Sequence, residues 1–407
     1  MGVQSAWASL DGTGLEDQTI DAGQERARAA DGRVTGAPFA VDLDAGHELP
    51  SRTSADCVVV LGIGGSALGA RCVHEATRGK GHRPIHVVDN IDPEAFERVW
   101  AAVDPARTAW VVISKSGGTT ETLAQCTLLR ERLAHAGINA PLHVVTGPTG
   151  ALAELAEAEG YPRYPVPEPV GGRFSVFTPA GTVPLALAGH DVAALIDGAR
   201  AVRDDPSDAA RLAALLCAGA DDGRNVVAMW SYAERLEIVG EWFRQLWAES
   251  LGKVRADGTR VGQTPLHCVG STDQHSIQQL MVEGPRDKMA VVLAGPPTGD
   301  AVAPAGEPGA GAGHALSDIL EAMRRATTDG MVRAGIPTVT LRLDAWTERD
   351  VGQLLMLFLA ATVYGGELLG VDCYGQPGVE AAKVSTKELL ADPDGEKARE
   401  IRARLGE

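Results

Sequence analysis

Unbroken apolar runs, rather than alternating ones, set the rhythm of this chain. Cys57-Val58-Val59-Val60-Leu61 is the first, and related runs follow at 85–89, 108–113, 142–145, 225–229, 288–293 and 336–343. Short β-branched runs of this kind predict strands buried on both faces, as in a parallel sheet. Helix-compatible segments alternate with them: one ending near residue 77, then 93–102, 123–136, 151–159, 234–251 and a long apolar stretch at 351–369. Asp92 is placed to cap the second of these, with Pro93 at its first position. The alternation predicts an α/β fold with parallel, doubly wound sheets. In such folds ligands bind beyond the carboxyl ends of the strands.

The rhythm breaks in three places. Four prolines within 161–170 rule out a helix or a central strand and predict an extended connector. Helical segments at 179–188, 192–203 and 207–219 then lead into a second alternating half. A Gly/Pro/Ala tract at 294–313 predicts a flexible surface loop. Residues 1–53 have weak periodicity, one short helix at 24–30 and no readable chemistry. The expected organisation is an N-terminal segment (1–53), two α/β domains (54–190 and 191–385) and a C-terminal helical tail (386–407).

Two strand ends carry glycines and hydroxyls. The run at 108–113 empties into Ser114-Lys115-Ser116-Gly117-Gly118-Thr119-Thr120-Glu121-Thr122, directly ahead of a helix. Glycines let backbone N–H groups turn toward an anion, the hydroxyls are short donors, and the helix N-terminus adds positive potential, so the stretch outlines a phosphate site. The competing reading makes Thr119 or Thr120 a plain N-cap. The run at 57–61 empties into Gly62-Ile63-Gly64-Gly65-Ser66-Ala67-Leu68-Gly69. Its third glycine comes one residue late for a dinucleotide fingerprint, and the Gly-Lys-Ser/Thr of a Walker loop is absent. A packing turn is the alternative there.

Single residues add candidates, each with a plainer reading beside it. Arg173 follows Gly171-Gly172, which leaves its guanidinium projecting; it could equally be a surface ion-pair partner. Glu249 sits near the C-terminal end of its helix, where the dipole disfavours an anion, so a catalytic base competes with a solvated glutamate paired to Lys253. His275 falls in the first turn of a helix capped by Ser271 or Thr272, which suits a neutral proton carrier, or a structural histidine. Gln376 and Lys383 are seven residues apart, two turns along one face of a terminal helix, with a solvated lysine as the alternative.

Composition narrows the field. No apolar run approaches the roughly 18 residues of a membrane span. The first ten residues have neither a basic flank nor an apolar core, so no secretory signal is expected. Six cysteines form no C-x-x-C pair, which argues against a zinc site or disulfide framework and for a reduced cytoplasm. A net charge of −17 argues against nucleic acid or an anionic membrane as partner. It also means that a phosphate site must gather its own lysines and arginines.

Together these segments resemble the phosphoglucose isomerase (glucose-6-phosphate isomerase) family, from about residue 57 to 387. Stretches 62–66, 114–122, 171–175, 249–253, 273–276 and 376–383 appear in the family's order. The resemblance implies two flavodoxin-like, sugar-isomerase-type (SIS) domains, a homodimer, and no metal or organic cofactor. It implies reversible isomerisation of glucose 6-phosphate and fructose 6-phosphate through a cis-enediolate, in glycolysis and gluconeogenesis. Ser66, Ser114, Lys115, Ser116 and Thr119 match phosphate-binding positions, and Gly65, Gly172, Gln245 and Gln376 match further substrate contacts. Glu249 matches the base, Arg173 the group that stabilises the enediolate, and His275 and Lys383 the ring-opening residues. In the family the histidine comes from the partner subunit. Ser116 departs from the family's more usual threonine but keeps a hydroxyl. The helices before residue 57 are unmatched, and 294–313 looks like an insertion.

The bare chemistry agrees with that resemblance. Aldose–ketose isomerisation needs a base for a weakly acidic C–H and a cation for the enediolate oxygens. Three other functions compete: a dual-specificity isomerase that also accepts mannose 6-phosphate, a non-catalytic phosphosugar sensor, and a nicotinamide-dependent dehydrogenase. The sensor need not keep Glu249, Arg173, His275 and Lys383 together, and the glycine spacing disfavours the dehydrogenase.

Overall fold

The computed structural model describes residues 2–7, 13, 15–79, 81–299, 301–306, 309 and 311–407. Its frame is two five-stranded sheets. The first contains β2 (Cys57–Leu61), β3 (Ile85–Val88), β4 (Thr108–Ser114), β5 (Leu142–Thr146) and β6 (Arg163–Pro165), in the order β3-β2-β4-β5-β6. Every pair is parallel, which is the flavodoxin-like order. β2 and β4 lie inside the sheet and every residue of both is buried, which is why they read as unbroken apolar runs. The chain leaves β2 toward one edge and β4 toward the other. The crossovers therefore part above β2 and β4 and open a crevice at their carboxyl ends.

The second sheet contains β7 (Val226–Ser231), β10 (Thr264–Val269), β11 (Lys288–Ala294) and β12 (Thr338–Leu343), all parallel, in the order β10-β7-β11-β12. Its far edge is closed by β1 (Val3–Trp7), which runs antiparallel to β12 from Val3 opposite Leu343 to Trp7 opposite Val339. The sequence reading gave the first 53 residues no role in a sheet. An edge strand is half-solvated, so Val3–Trp7 alternates partly buried and exposed residues and lacks an apolar run. A two-residue hairpin, β8 (Lys253–Val254) with β9 (Arg260–Val261), stands apart from both sheets.

Other expectations are also corrected. The proline-rich connector contributes β6, an edge strand, where missing N–H donors do least harm. Residues 1–53 hold the helices Asp17–Arg28, Asp31–Thr35 and Pro38–Val41 rather than one short helix at 24–30. The tract at 294–313 includes positions 300, 307, 308 and 310, which lie outside the described residues. Its described part is tied by a bridge between Val302 and Ala315 and by backbone bonds from Ala303 to His314 and from Gly313 to Ala303.

One core joins the two sheets. Val58, Val60 and Val111 of the first sheet share a cluster with Val227, Met229 and Leu341 of the second, bridged by Trp242, Phe243, Phe358 and Tyr364. The alternate residues Val59, Leu61 and Val112 face the other way, onto Phe96, Leu129 and Leu133. The central helix Glu348–Leu369 is the one described helix long and apolar enough to cross a membrane, and 83% of its most apolar window is buried inside the protein. It crosses the helix Val192–Asp204 at van der Waals distance through two glycines. A Cβ on Gly198 would lie 2.0 Å from Arg349 O, and one on Gly352 would lie 2.1 Å from Leu195 O. Backbone cannot yield as a side chain does. Gly352→Ala is expected to destabilise the fold by about 3 kcal/mol, read from urea unfolding; a cost below about 0.5 kcal/mol would mean that the two helices part easily.

Candidate active site

The first wall of the crevice is the loop after β2. Residues Gly64–Ser66 form a 3-10 turn that leads into the helix Leu68–Thr77. Gly65 is in direct contact with the segment before Arg173. A Cβ there would lie 2.1 Å from Gly172 O and 2.6 Å from Arg173 N. Ser175 locks the contact, its hydroxyl donating to Gly172 O at 2.7 Å with Gly65 O 3.3 Å away. Gly64 has φ +58°, and a Cβ there would approach Gln245 Nε2 to 2.8 Å. The loop is therefore pinned between Arg173's segment and the helix Glu237–Leu251.

The second wall follows β4. Ser114, its last residue, is buried, and its Oγ lies 2.8 Å from Thr119 Oγ1. Thr119 occupies the N-cap position of the helix Thr120–His135, yet its side chain makes no capping bond. The hydroxyl that the N-cap reading needed is instead turned to Ser114. Gly117 has φ +64° and packs against Thr149 O, while Gly147 N donates to Lys115 O, so the loop is held by its neighbour after β5. Lys115 is half-buried and its pKa is lowered by burial, with Glu168 opposing the shift. Ser116 is exposed and accepts from Gly118 N at 3.3 Å. The helix behind the loop has its N-terminus toward this space.

Arg173 forms the floor, on the 3-10 segment Gly172–Phe177, and is only 2% exposed. That removes the surface ion-pair alternative. Its Nε donates to Ser250 Oγ (2.6 Å), its Nη1 to Gln376 Oε1 (2.6 Å), and the two N–H groups of its Nη2 to Cys373 O (2.6 Å), Tyr374 O (3.0 Å) and Gly375 O (3.3 Å). A guanidinium has five N–H groups. Four are taken by protein, and the fifth, on Nη1, faces no acceptor within hydrogen-bond reach among the described residues. The closest carboxylate to that nitrogen is Glu249, with Oε1 at 3.7 Å. Burial lowers the Arg173 pKa, and Glu249, Cys373 and Asp372 oppose the shift.

Glu249 lies in the last turn of its helix, 22% exposed at the side chain. Gln245, one turn earlier on the same face, donates to Glu249 Oε2 at 3.3 Å and leaves its own Oε1 buried without a donor. The alternative pairing of Glu249 with Lys253 is absent. Lys253 Nζ donates instead to Asp372 O (3.1 Å) and to Gly375 O.

Two expected site residues stand away from this group. His275 ends the 3-10 turn Thr272–His275, before the helix Gln278–Glu283, so it is not in the first turn of a helix. It is exposed, and no described hydrogen bond or ion pair joins it to Arg173 or Glu249. Gln376 and Lys383 do not share a helical face: Gln376 precedes the turn Pro377–Val379, and the helix begins at Glu380. Lys383 is exposed and pairs with Glu380 at 2.8 Å, on a helix with no buried residue. The reading also missed Ser250, Ser175 and the carbonyls of 372–375. Only the Asp372–Gly375 spacing hinted at the last, because Asp372 Oδ atoms accept from Tyr374 N and Gly375 N in a side-chain-closed turn.

One cluster outside the crevice has the composition of a metal site. Ligand atoms of His82, His190 and Glu348 lie within 4.8 Å of one another. The proton wiring opposes that use. Ile85 N–H donates to His74 Nε2 (3.2 Å), so neutral His74 carries its proton on Nδ1 and donates it to His190 Nε2 (3.0 Å). His190 then carries its own proton on Nδ1, which faces Glu348 Oε1 and Thr77 Oγ1, each at 3.2 Å. A metal would need that nitrogen's lone pair. The cluster instead joins the helix of the first loop to the start of the central helix.

Two doubly wound sheets with a glycine-and-hydroxyl crevice at the strand ends define a protein of the sugar-isomerase class. A crystal structure of a glucose-6-phosphate isomerase from Chlamydia trachomatis shares the fold, with a TM-score of 0.82 at 19% identity over 100% of this chain and 92% of that one. The family model for phosphoglucose isomerase matches residues 40–291. A probable glucose-6-phosphate isomerase of Natronomonas pharaonis is 38% identical over 381 residues, covering 89% of this chain and 86% of that protein. A glucose-6-phosphate isomerase of Rubrobacter xylanophilus is 37% identical over 384 residues, covering 86% and 87%. The chain belongs to the phosphoglucose isomerase family.

The histidine cluster carries a stability signature. Burial, then His190, His82 and His86, push the His74 pKa from 6.5 down to about 4. The unfolded chain therefore binds more protons between those values, and stability falls as pH drops through that window. Thermal unfolding is expected to show Tm falling from about pH 6.5 to pH 4, and His74→Asn, whose amide keeps a donor toward His190, to flatten that slope. A slope unchanged by the substitution would clear His74 as its source.

Proposed function

We propose that this chain reversibly isomerises glucose 6-phosphate and fructose 6-phosphate through a cis-enediolate, the step shared by glycolysis and gluconeogenesis. The observation that carries the reading is the 3.7 Å apposition of Glu249 to a buried guanidinium with one N–H to spare. Glu249 takes the proton from C2 of the open-chain aldose, and electron density moves onto the C1 oxygen beside Arg173. The same carboxyl returns the proton to C1 as the C2 oxygen becomes the carbonyl, while the hydroxyl proton passes from O2 to O1. The conversion is redox-neutral within the sugar, so no external electron carrier takes part, and in this reading Arg173 supplies the positive charge at the enediolate oxygens.

Ser66, Ser114, Lys115, Ser116 and Thr119, with the helix N-terminus behind them, are the phosphate ligands in this reading. Binding energy at the phosphate then serves to hold C1 and C2 against Glu249. The orphaned Gln245 Oε1 would be satisfied by a sugar hydroxyl, and Gln376 accepts from Arg173 Nη1, the nitrogen that faces Glu249. Gly65 acts through its lack of bulk, and Gly172, where a Cβ would meet no neighbour, is a substrate contact through its backbone. His275 and Lys383 complete the reading as the ring-opening pair. Lys383 reaches the sugar only if the helix Glu380–Ala391 closes over the crevice. The exposed His275 is assigned to the site of a second subunit, which makes the enzyme a homodimer with shared sites. Six free, buried cysteines are in keeping with a cytoplasmic setting.

Glu249→Gln is expected to lose at least about 10²-fold in kcat with little change in KM, in a coupled assay from fructose 6-phosphate without added metal. An active Gln variant would sink Glu249 as the base. Gly65→Ala forces a Cβ into the Gly172 carbonyl and is expected to cost about 10²-fold in kcat/KM; near-wild-type turnover would show that the two loops need not touch. Mixing His275→Ala chains with Glu249→Gln chains tests the shared site. Recovered activity in the mixture fits a histidine donated across subunits, and none would mean that each subunit is self-contained.

A further inference from the structure

The carbonyls that receive Arg173 belong to a wider belt. After the central helix ends at Leu369, Gly370 takes φ +69° and the chain runs through Val371 to Gln376, with the carbonyl oxygens of 372–375 on cationic side chains. Arg173 takes Cys373 O and Tyr374 O and reaches Gly375 O at 3.3 Å. Two further cations come from the small hairpin that follows Glu249. Lys253 Nζ takes Asp372 O and Gly375 O, and Arg255 Nε takes Leu369 O at 2.5 Å. Five carbonyls, those of 369 and 372–375, are thus held by three cationic side chains. Neither hairpin cation makes an ion pair with a carboxylate among the described residues, so the belt is what holds them.

We propose that Lys253, supported by Arg255, is a positioning residue for Arg173 in the isomerisation. It fastens the Asp372 and Gly375 carbonyls so that Cys373 O, Tyr374 O and Gln376 present a fixed seat to the guanidinium. The proposal rests on the reading of Arg173 as the group that meets the enediolate. The geometry gives the reason for a second cation. Arg173 enters the belt from inside the core, and its Nη2 reaches three successive carbonyls: Cys373 O and Tyr374 O have no other side-chain donor among the described residues, and Gly375 O, at 3.3 Å, is shared with Lys253. Asp372 closes the turn with its side chain, but only onto the N–H groups of Tyr374 and Gly375. Lys253 holds Asp372 O on one side of the Cys373 and Tyr374 oxygens and shares Gly375 O with Arg173 on the other. With Lys253 gone, the seat loosens, and the N–H aimed at the substrate loses its direction while the guanidinium stays buried. Lys253 is kept outside the proton path in this proposal: two of its three N–H donors go to carbonyls, and it makes no hydrogen bond to Glu249 among the described residues.

This predicts a loss confined to the transition state. Lys253→Met keeps the length of the side chain and removes its donors. It is expected to lower kcat by about 10- to 100-fold with KM within about 3-fold, the scale of a small misalignment of a reacting group. Lys253→Arg, which restores donors to the belt, is expected to recover most of the loss. Binding separates aim from simple damage. A five-carbon aldonic acid phosphate carries a planar carboxylate like the enediolate, and Lys253→Met is expected to weaken it about tenfold or more. Glucitol 6-phosphate has the phosphate and hydroxyls without the planar anion, and its affinity is expected to stay within about 2-fold. Equal weakening of both ligands, wild-type kcat in the Met variant, or an Arg variant no better than Met would each overturn the proposal. If the Met variant does not fold, Arg255→Gln, which frees Leu369 O alone, is expected to show the same split at smaller size, and a fall in Tm without the split would overturn it. Absence of turnover in the wild-type protein would refute the isomerase reading instead, and the ratio of the two affinities would still report on the belt.

Discussion

A guanidinium taken out of water must find an acceptor for nearly every N–H, because an uncompensated buried charge costs several kcal/mol. Arg173 meets that requirement with Ser250, Gln376 and the carbonyls of Cys373 and Tyr374. Charge-assisted bonds of this kind are the strong ones, and they reach residues about 77 and 200 positions away in sequence. Folding and assembly of the site are for that reason one event. The helix end that carries Glu249 also carries Ser250, the segment that carries Arg173 also touches Gly65, and the loop after the central helix supplies Gln376. None of these can move far without stranding a donor on the buried cation.

The same constraint answers the charge problem of a protein with a net charge of −17. An anionic substrate needs a positive spot, and a surface cluster of lysines would be screened and diluted by the surrounding carboxylates. Burial avoids this. Arg173 is fully enclosed and Lys115 and Lys253 are partly so, with burial the leading influence on all three. In a medium of lower polarisability the field of each reaches further toward the crevice. The switch point above β2 and β4 supplies the space, and backbone N–H groups freed by glycine supply neutral donors that add no repulsion between cations.

What was legible in the sequence follows from the same physics. Strands buried on both faces must be apolar throughout, so seven of the eight parallel strands outside the proline-rich connector were visible as runs; β10, with Pro265 and His267 on an edge, was not. Strand ends that must approach phosphate or backbone need glycine and small hydroxyls, so the loops at 62–66 and 114–119 stood out. The edge strand Val3–Trp7 did not, because one side of it is solvated and its partner lies more than 330 residues away. The belt at 369–375 was silent for a stronger reason. It acts through carbonyl oxygens, which every residue has, so no side-chain pattern announces it. His275 and Lys383 were candidates on local spacing, and only the resemblance gave them a role in ring opening. Local spacing suggested a helix turn for the one and a shared face for the other, and 3-10 turns displaced both.

In the proposed reading, that displacement separates the chemistry into two mechanical parts. Proton transfer between adjacent carbons tolerates little error, and its groups are fixed to the core: Glu249 by its helix, Arg173 by the belt. Ring opening, in that reading, falls to His275 and Lys383, which are on exposed segments. The segment that joins the parts is the belt itself, which runs from the central helix through Gln376 to the helices Glu380–Ala391 and Glu396–Leu405. Any force that draws Lys383 inward is therefore exerted on the carbonyls that seat Arg173. A belt held by three cations can transmit that movement at its free end while keeping the seat still, whereas a belt held by Arg173 alone would pass it to the guanidinium. The hairpin cations make it possible for one loop to serve a rigid group and a moving one.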